Sequence, residues 1–155
     1  MMADGKRGLR RGVLLIFVLG TVGLGAELLL LGHFAAWRQQ VPLVLLALGL
    51  VLLAVRLRYR GAIILRLFRL TMLAFVLGGL LGLWFHLNSN MEFELEMYPT
   101  LSGPELLFKA LGGAMPALAP MALAQLGMIG FLYTYQHPAL SRDKPGRTKQ
   151  CSASL

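Results

Sequence analysis

Four apolar runs separated by short polar segments constrain this chain more than any other feature. They occupy about residues 12–32, 41–57, 69–87 and 115–135. A water-soluble domain of 155 residues has too little interior to hide four such runs, whereas a bilayer accommodates helices of about 20 apolar residues directly. Composition agrees: apolar residues make up 57% and charged residues 14%, against roughly 45–50% and 25% in soluble domains. The expected fold is all-α, an integral membrane bundle of four transmembrane helices within residues 1–138, followed by a disordered cytoplasmic tail over 139–155.

The net charge of +8 is organised by these runs. Lys and Arg number four before the first run, one between the first and second, five over the facing ends of the second and third and the segment joining them (Arg56 to Arg69), one before the fourth and four after it. Basic residues collect on cytoplasmic flanks, so this alternation predicts both termini and the arginine-rich segment on the cytoplasmic side. It also explains the charge without nucleic acid. Arg56, Arg58, Arg60, Arg66 and Arg69 are expected to contact anionic lipid headgroups. The expected location is a bacterial-type inner membrane. The first run, with its basic start, also resembles a signal peptide, but it exceeds the usual h-region of about 7–15 residues and is read as a retained helix.

Between the spans, the pattern is specific enough for local expectations. The second run is short, and Pro42 is expected in its first turn, where no N–H partner is lost. The third contains Gly78-x-x-x-Gly82, a spacing that lets helix backbones approach closely. Residues 88–103 are expected to form a loop, with strict alternation over 91–97 placing Glu92, Glu94 and Glu96 on one side of an extended segment. Ser102 and Glu105 are spaced as a capping box opening a short amphipathic helix before the fourth span. Pro120 is expected to kink that fourth helix.

Few polar groups are left to carry chemistry. With the predicted topology, Glu27, His33, His86, Glu92, Glu94 and Glu96 gather at the outer face, a donor set of the kind that suits zinc, manganese or calcium. Their spacings match no established ligand motif, and the simpler expectation is interfacial histidines beside a solvated acidic loop. Glu27 lies within a span, where a charge costs at least about 2.5–3.5 kcal/mol near the centre, so it is expected to face the bundle interior or water, to be protonated and hydrogen-bonded to a neighbouring helix, or to snorkel to the outer surface. Gln125 is expected to hydrogen-bond a neighbouring helix. The lone cysteine, Cys151, excludes an internal disulfide. No nucleophile elbow, HExxH pair or phosphate loop occurs. The leading expectation is therefore an accessory, assembly or oligomer-forming membrane subunit working through helix–helix contacts. A cation or proton transporter subunit using Glu27 and the acidic cluster is the competing expectation.

Overall fold

The computed structural model describes residues 2–59 and 61–141. It is helical, with no strand among the described residues: α1 (Met2–Leu30), α2 (Trp37–Arg58), α3 (Ala62–Met97), α4 (Gly103–Leu111), α5 (Met121–Thr134) and α6 (Pro138–Ser141). The helices α1, α2 and α3 are long and apolar enough to cross a membrane, while α5 is a shorter apolar helix of 14 residues. Their outward faces are mostly oily. Leu19 is 63% exposed, Leu77 51% and Leu132 56%, an arrangement stable against hydrocarbon and not against water. The apolar helices mark a membrane-embedded protein.

Aromatic residues weld the centre. Phe17 of α1 meets Phe68 edge-on at 5.5 Å and Phe75 at 6.2 Å, and Phe68 meets Tyr133 of α5 edge-on at 6.0 Å. Phe17, Phe68 and Phe75 are fully buried. Edge-to-face pairs of this kind contribute about 0.5–1.5 kcal/mol beyond the area they bury. The buried hydroxyls bond within their own helices: Thr21 donates to the Phe17 carbonyl at 2.7 Å and Thr71 to that of Leu67 at 3.1 Å.

Helix α3 lies against α5 through small residues. A Cβ at Gly79 would sit 2.7 Å from the Ala124 amide nitrogen, and one at Gly82 would sit 2.7 Å from Pro120 Cβ. At Gly78 the neighbours are side-chain ends, Leu45 Cδ1 at 3.2 Å and Leu123 Cδ2 at 3.5 Å. The small-residue seam thus serves contacts within the chain, and Gly79 rather than Gly78 partners Gly82.

Several boundaries depart from expectation. Helix α2 begins at Trp37, so Pro42 lies inside it rather than in its first turn. Gln39 supplies the local reason, because its Oε1 accepts from the Ala36 amide at 3.1 Å and closes the N-terminus early. At 22 residues, α2 rises about 33 Å, enough for a hydrocarbon core. The fourth apolar run does not form one kinked helix. Residues 116–120 form a tight turn, with Ala119 donating to the Pro116 carbonyl at 3.1 Å and Met121 to that of Leu118 at 3.0 Å. Two prolines four apart each lack the N–H an α-helix needs, so the regular helix starts only after Pro120.

The largest departure is at the acidic segment. Residues 88–97 continue α3 instead of forming an extended loop. Their burial follows a helical step, with Leu87, Asn90, Met91 and Glu94 turned inward or half-buried. Seven alternating residues could not outweigh continuation of an existing helix with a packed face. On that helix Glu92 and Glu96 share a side while Glu94 points elsewhere, so the three carboxylates do not line one face. Helix α4 forms as expected and packs Leu106 and Ala110 inward. Ser102 occupies its N-cap position, but its side chain makes no capping hydrogen bond. Most of the segment expected to be a disordered tail, together with Arg60 and Cys151, lies outside the described residues.

Candidate functional site

One end of the bundle brings two histidines together. His33 stands in the turn between α1 and α2, a turn closed by backbone bonds such as His33 to the Leu28 carbonyl at 2.9 Å, with Gly32 taking the left-handed conformation at φ 64°. The His86 ring on α3 lies 6.4 Å from the His33 ring. Its Nδ1 donates to the Pro116 carbonyl at 3.2 Å, which leaves Nε2 with the lone pair when the ring is neutral. Burial first, and then the neighbouring His86, holds His33 below the usual imidazole range.

The carboxylates do not join this pair. Among the described residues no group of three or more His, Cys, Asp or Glu side chains could hold a metal ion. Glu92 and Glu96 are exposed, and Glu94 is half-buried on another side of α3. Glu27 does not face the bundle interior. It is exposed on the flank of the α1 face that buries Val13, Phe17 and Thr21. Gln125 is likewise exposed on α5 and makes no hydrogen bond with any described residue, contrary to the interhelical bond expected of it.

The polar residue that does hold helices together lies in the segment whose sequence pattern predicts a loop. Asn90 is 1% exposed. Its Nδ2 donates to the carbonyls of Ala110 at 2.8 Å and Met115 at 2.6 Å, and its Oδ1 accepts from the Met115 amide at 3.0 Å. One side chain therefore ties the end of α3 to the end of α4 and to the start of the turn before α5. Gly113 makes room for it, since a Cβ there would lie 2.8 Å from the Asn90 side-chain carbon. The available signal was the pairing of an amide with a glycine-rich stretch, Gly112-Gly113, once the helix was extended through residue 90.

The opposite end is basic. Arg58, Arg66 and Arg69 are exposed and Arg56 is half-buried. Arg10 of α1 reaches across to α5, donating from Nη2 to the carbonyls of Gln136 at 2.7 Å and Tyr135 at 3.5 Å. These are carbonyls left unpaired where α5 ends, and a cation suits the negative end of a helix. His137 follows, its ring 6.0 Å from that of Tyr133. Burial, then Arg10, then Arg56 hold its imidazole below the ordinary range.

The surface that remains differs between helices. Outward positions of α2 and α3 carry bulky residues such as Val44, Leu48 and Val51, and Leu73, Leu77 and Trp84. The outward stripe of α1 carries Gly12, Gly23 and Ala26 beside Leu19 and Glu27. A Cβ at Gly12 or Gly23 would meet nothing within 4 Å. No protein-family model, curated protein or solved structure matches this chain.

Proposed function

We propose that this protein is a four-crossing subunit of a bacterial-type inner membrane, with both termini on the cytoplasmic side, that acts by associating with other membrane helices as an assembly, accessory or self-associating component. The observation that carries this reading is the pair of polar side chains, Glu27 and Gln125, turned outward from apolar helices with no partner among the described residues. A polar group facing hydrocarbon is costly, and a neighbouring helix removes that cost. Gly12, Gly23 and Ala26 on the same side of α1 as Glu27 let a second backbone come close. The large intramolecular seam at Gly79 and Gly82 is already occupied, so α1 presents the open small-residue face.

Four crossings and their direction are supported by the alternating Lys and Arg counts and by Arg10 of α1 reaching the C-terminal end of α5, where the charge of Arg56 of α2 is also felt. Helix α5 rises only about 21 Å, and the turn over 116–120 extends the crossing.

The test is cysteine crosslinking in native membranes, with Cys151→Ser as the background and Gly23→Cys on the exposed stripe. The expected result is a discrete crosslinked product that disappears in Gly23→Cys combined with Leu19→Trp. Recovery of uncrosslinked monomer alone, at native expression and across oxidant concentrations, would count against the proposal.

A further inference from the structure

The basic end holds more hydrogen-bonding capacity than the chain uses. Arg10 spends only Nη2 on the carbonyls of Tyr135 and Gln136. Arg56 donates from Nη1 to the Tyr59 carbonyl at 3.3 Å, while its Nε is buried and has no partner. Each guanidinium offers five N–H donors, and neither has a carboxylate partner among the described residues. The His137 ring is oriented by the Ala139 amide, which donates to its Nδ1 at 3.2 Å. In the neutral ring that bond places the proton on Nε2, leaving a third donor beside the two guanidiniums. Arg10 of α1 is bonded to the carbonyl beside His137, and the charges of both Arg10 and Arg56 reach that imidazole, so folding brings together groups that are far apart in sequence.

We propose that Arg10, Arg56 and His137 form a binding site for a phosphate-bearing anion. The chemistry is that of a tetrahedral oxyanion taking N–H donors from three directions, the guanidinium Nη groups of Arg10 and Arg56 and the Nε2 of His137. A guanidinium matches phosphate through two parallel bonds, which a lysine could not do. The site lies where the apolar parts of α1, α2 and α5 end, the depth at which a phospholipid presents its headgroup. A headgroup and a soluble phosphate supply the same chemistry. The inference is independent of the outward face of α1.

Among the described residues, the Tyr133 ring lies beside His137 on its own flank, and the charges of Arg10 from α1 and Arg56 from α2 reach it. The two cations now disfavour its protonation. A bound anion offsets them and moves the imidazole titration upward, a signature that a purely structural role for Arg56 does not produce.

The experiment uses the full chain in nanodiscs of phosphatidylcholine with or without phosphatidylglycerol, and separately in phosphatidylcholine with inorganic phosphate. Bound phosphatidylglycerol is counted by native mass spectrometry, and the His137 titration is followed by NMR in each condition. The parent should retain the anionic lipid or saturate with phosphate, with the His137 titration shifted upward. Arg56→Gln should weaken binding about tenfold, the worth of one charge-assisted bond, and Arg56→Lys should fall between. Arg58→Gln makes the same change in net charge at an exposed arginine and should leave binding intact. Selective retention of the lipid identifies a headgroup site, and saturation by phosphate alone a soluble-anion site. Should Arg56→Gln fold poorly, His137→Gln carries the same expectation. Equal losses in Arg56→Gln and Arg58→Gln would show diffuse attraction and overturn the proposal, as would unaltered binding in Arg56→Gln and His137→Gln or an unmoved His137 titration.

Discussion

Replacing Asn90 with alanine tests the packing argument where it is most exposed to failure. The substitution removes three hydrogen bonds, two accepted by the Ala110 and Met115 carbonyls and one donated by the Met115 amide. At about 1 kcal/mol net for each, the loss is about 3 kcal/mol if the freed groups stay dry, and about half that if water reaches them. Met115 is the direct reporter, since its amide hydrogen bonds to Asn90 Oδ1. A loss of about 3 kcal/mol in local stability corresponds to exchange on the order of 100-fold faster at that amide. Amide hydrogen exchange in nanodiscs, read at residues 110–116, measures it. Asn90→Asp should be worse at neutral pH than Asn90→Ala, because an ionised carboxylate would face two carbonyl oxygens. If Met115 exchanges within about twofold of the parent rate in Asn90→Ala, the clamp contributes nothing and the reasoning fails.

Gly79→Val should destabilise the chain by about 1–3 kcal/mol in a detergent unfolding titration, because its Cβ meets α5 backbone that cannot give way. Gly78→Ala, which meets only side-chain ends, should cost far less in the same titration. His33 is held below its ordinary value of 6.5 in the folded state, so the unfolded chain binds its proton first. Its contribution is then fully present above about pH 6.5 and lost as pH falls through the lower folded value. Melting temperatures between pH 8 and 5 should decline on the acid side, and His33→Gln should flatten part of that decline; an unchanged slope would remove His33 as a cause. Reporter fusions at the two termini should register the same compartment, and a reporter placed after Tyr98 the opposite one.

How much of this was legible in the sequence depended on the scale of the pattern. The apolar runs located α1, α2 and α3 because each run is a whole helix, and hydrocarbon demands that its backbone be internally bonded. Their ends were less visible. The early start of α2 depends on one side-chain bond from Gln39, and the late start of α5 on two missing N–H groups at Pro116 and Pro120. The acidic stretch was misread because alternation over 91–97 fits a strand, while the inward step from Leu87 to Glu94 becomes visible only once α4 is known to pack there. The meeting of His33 and His86 at one end followed from the expected topology, but their separation from the glutamates did not. Glu27 and Gln125 were identifiable as unusual; the direction each faces is set by the buried line Phe17–Thr21 on α1 and by Leu126–Gly127 on α5, which tertiary packing selects.

Helix α3 runs unbroken for 36 residues, about 54 Å, nearly twice the thickness of a bilayer's hydrocarbon core. A stiff strut of that length works as a lever: pivoting by 10° about its middle would carry each tip sideways by about 5 Å. Because Asn90 bolts the α4 shelf to one arm while Arg66 and Arg69 ride on the other, a load on the shelf and a pull on the arginine-bearing arm act on the same rigid body. Neither end of that beam can shift without the far end registering it.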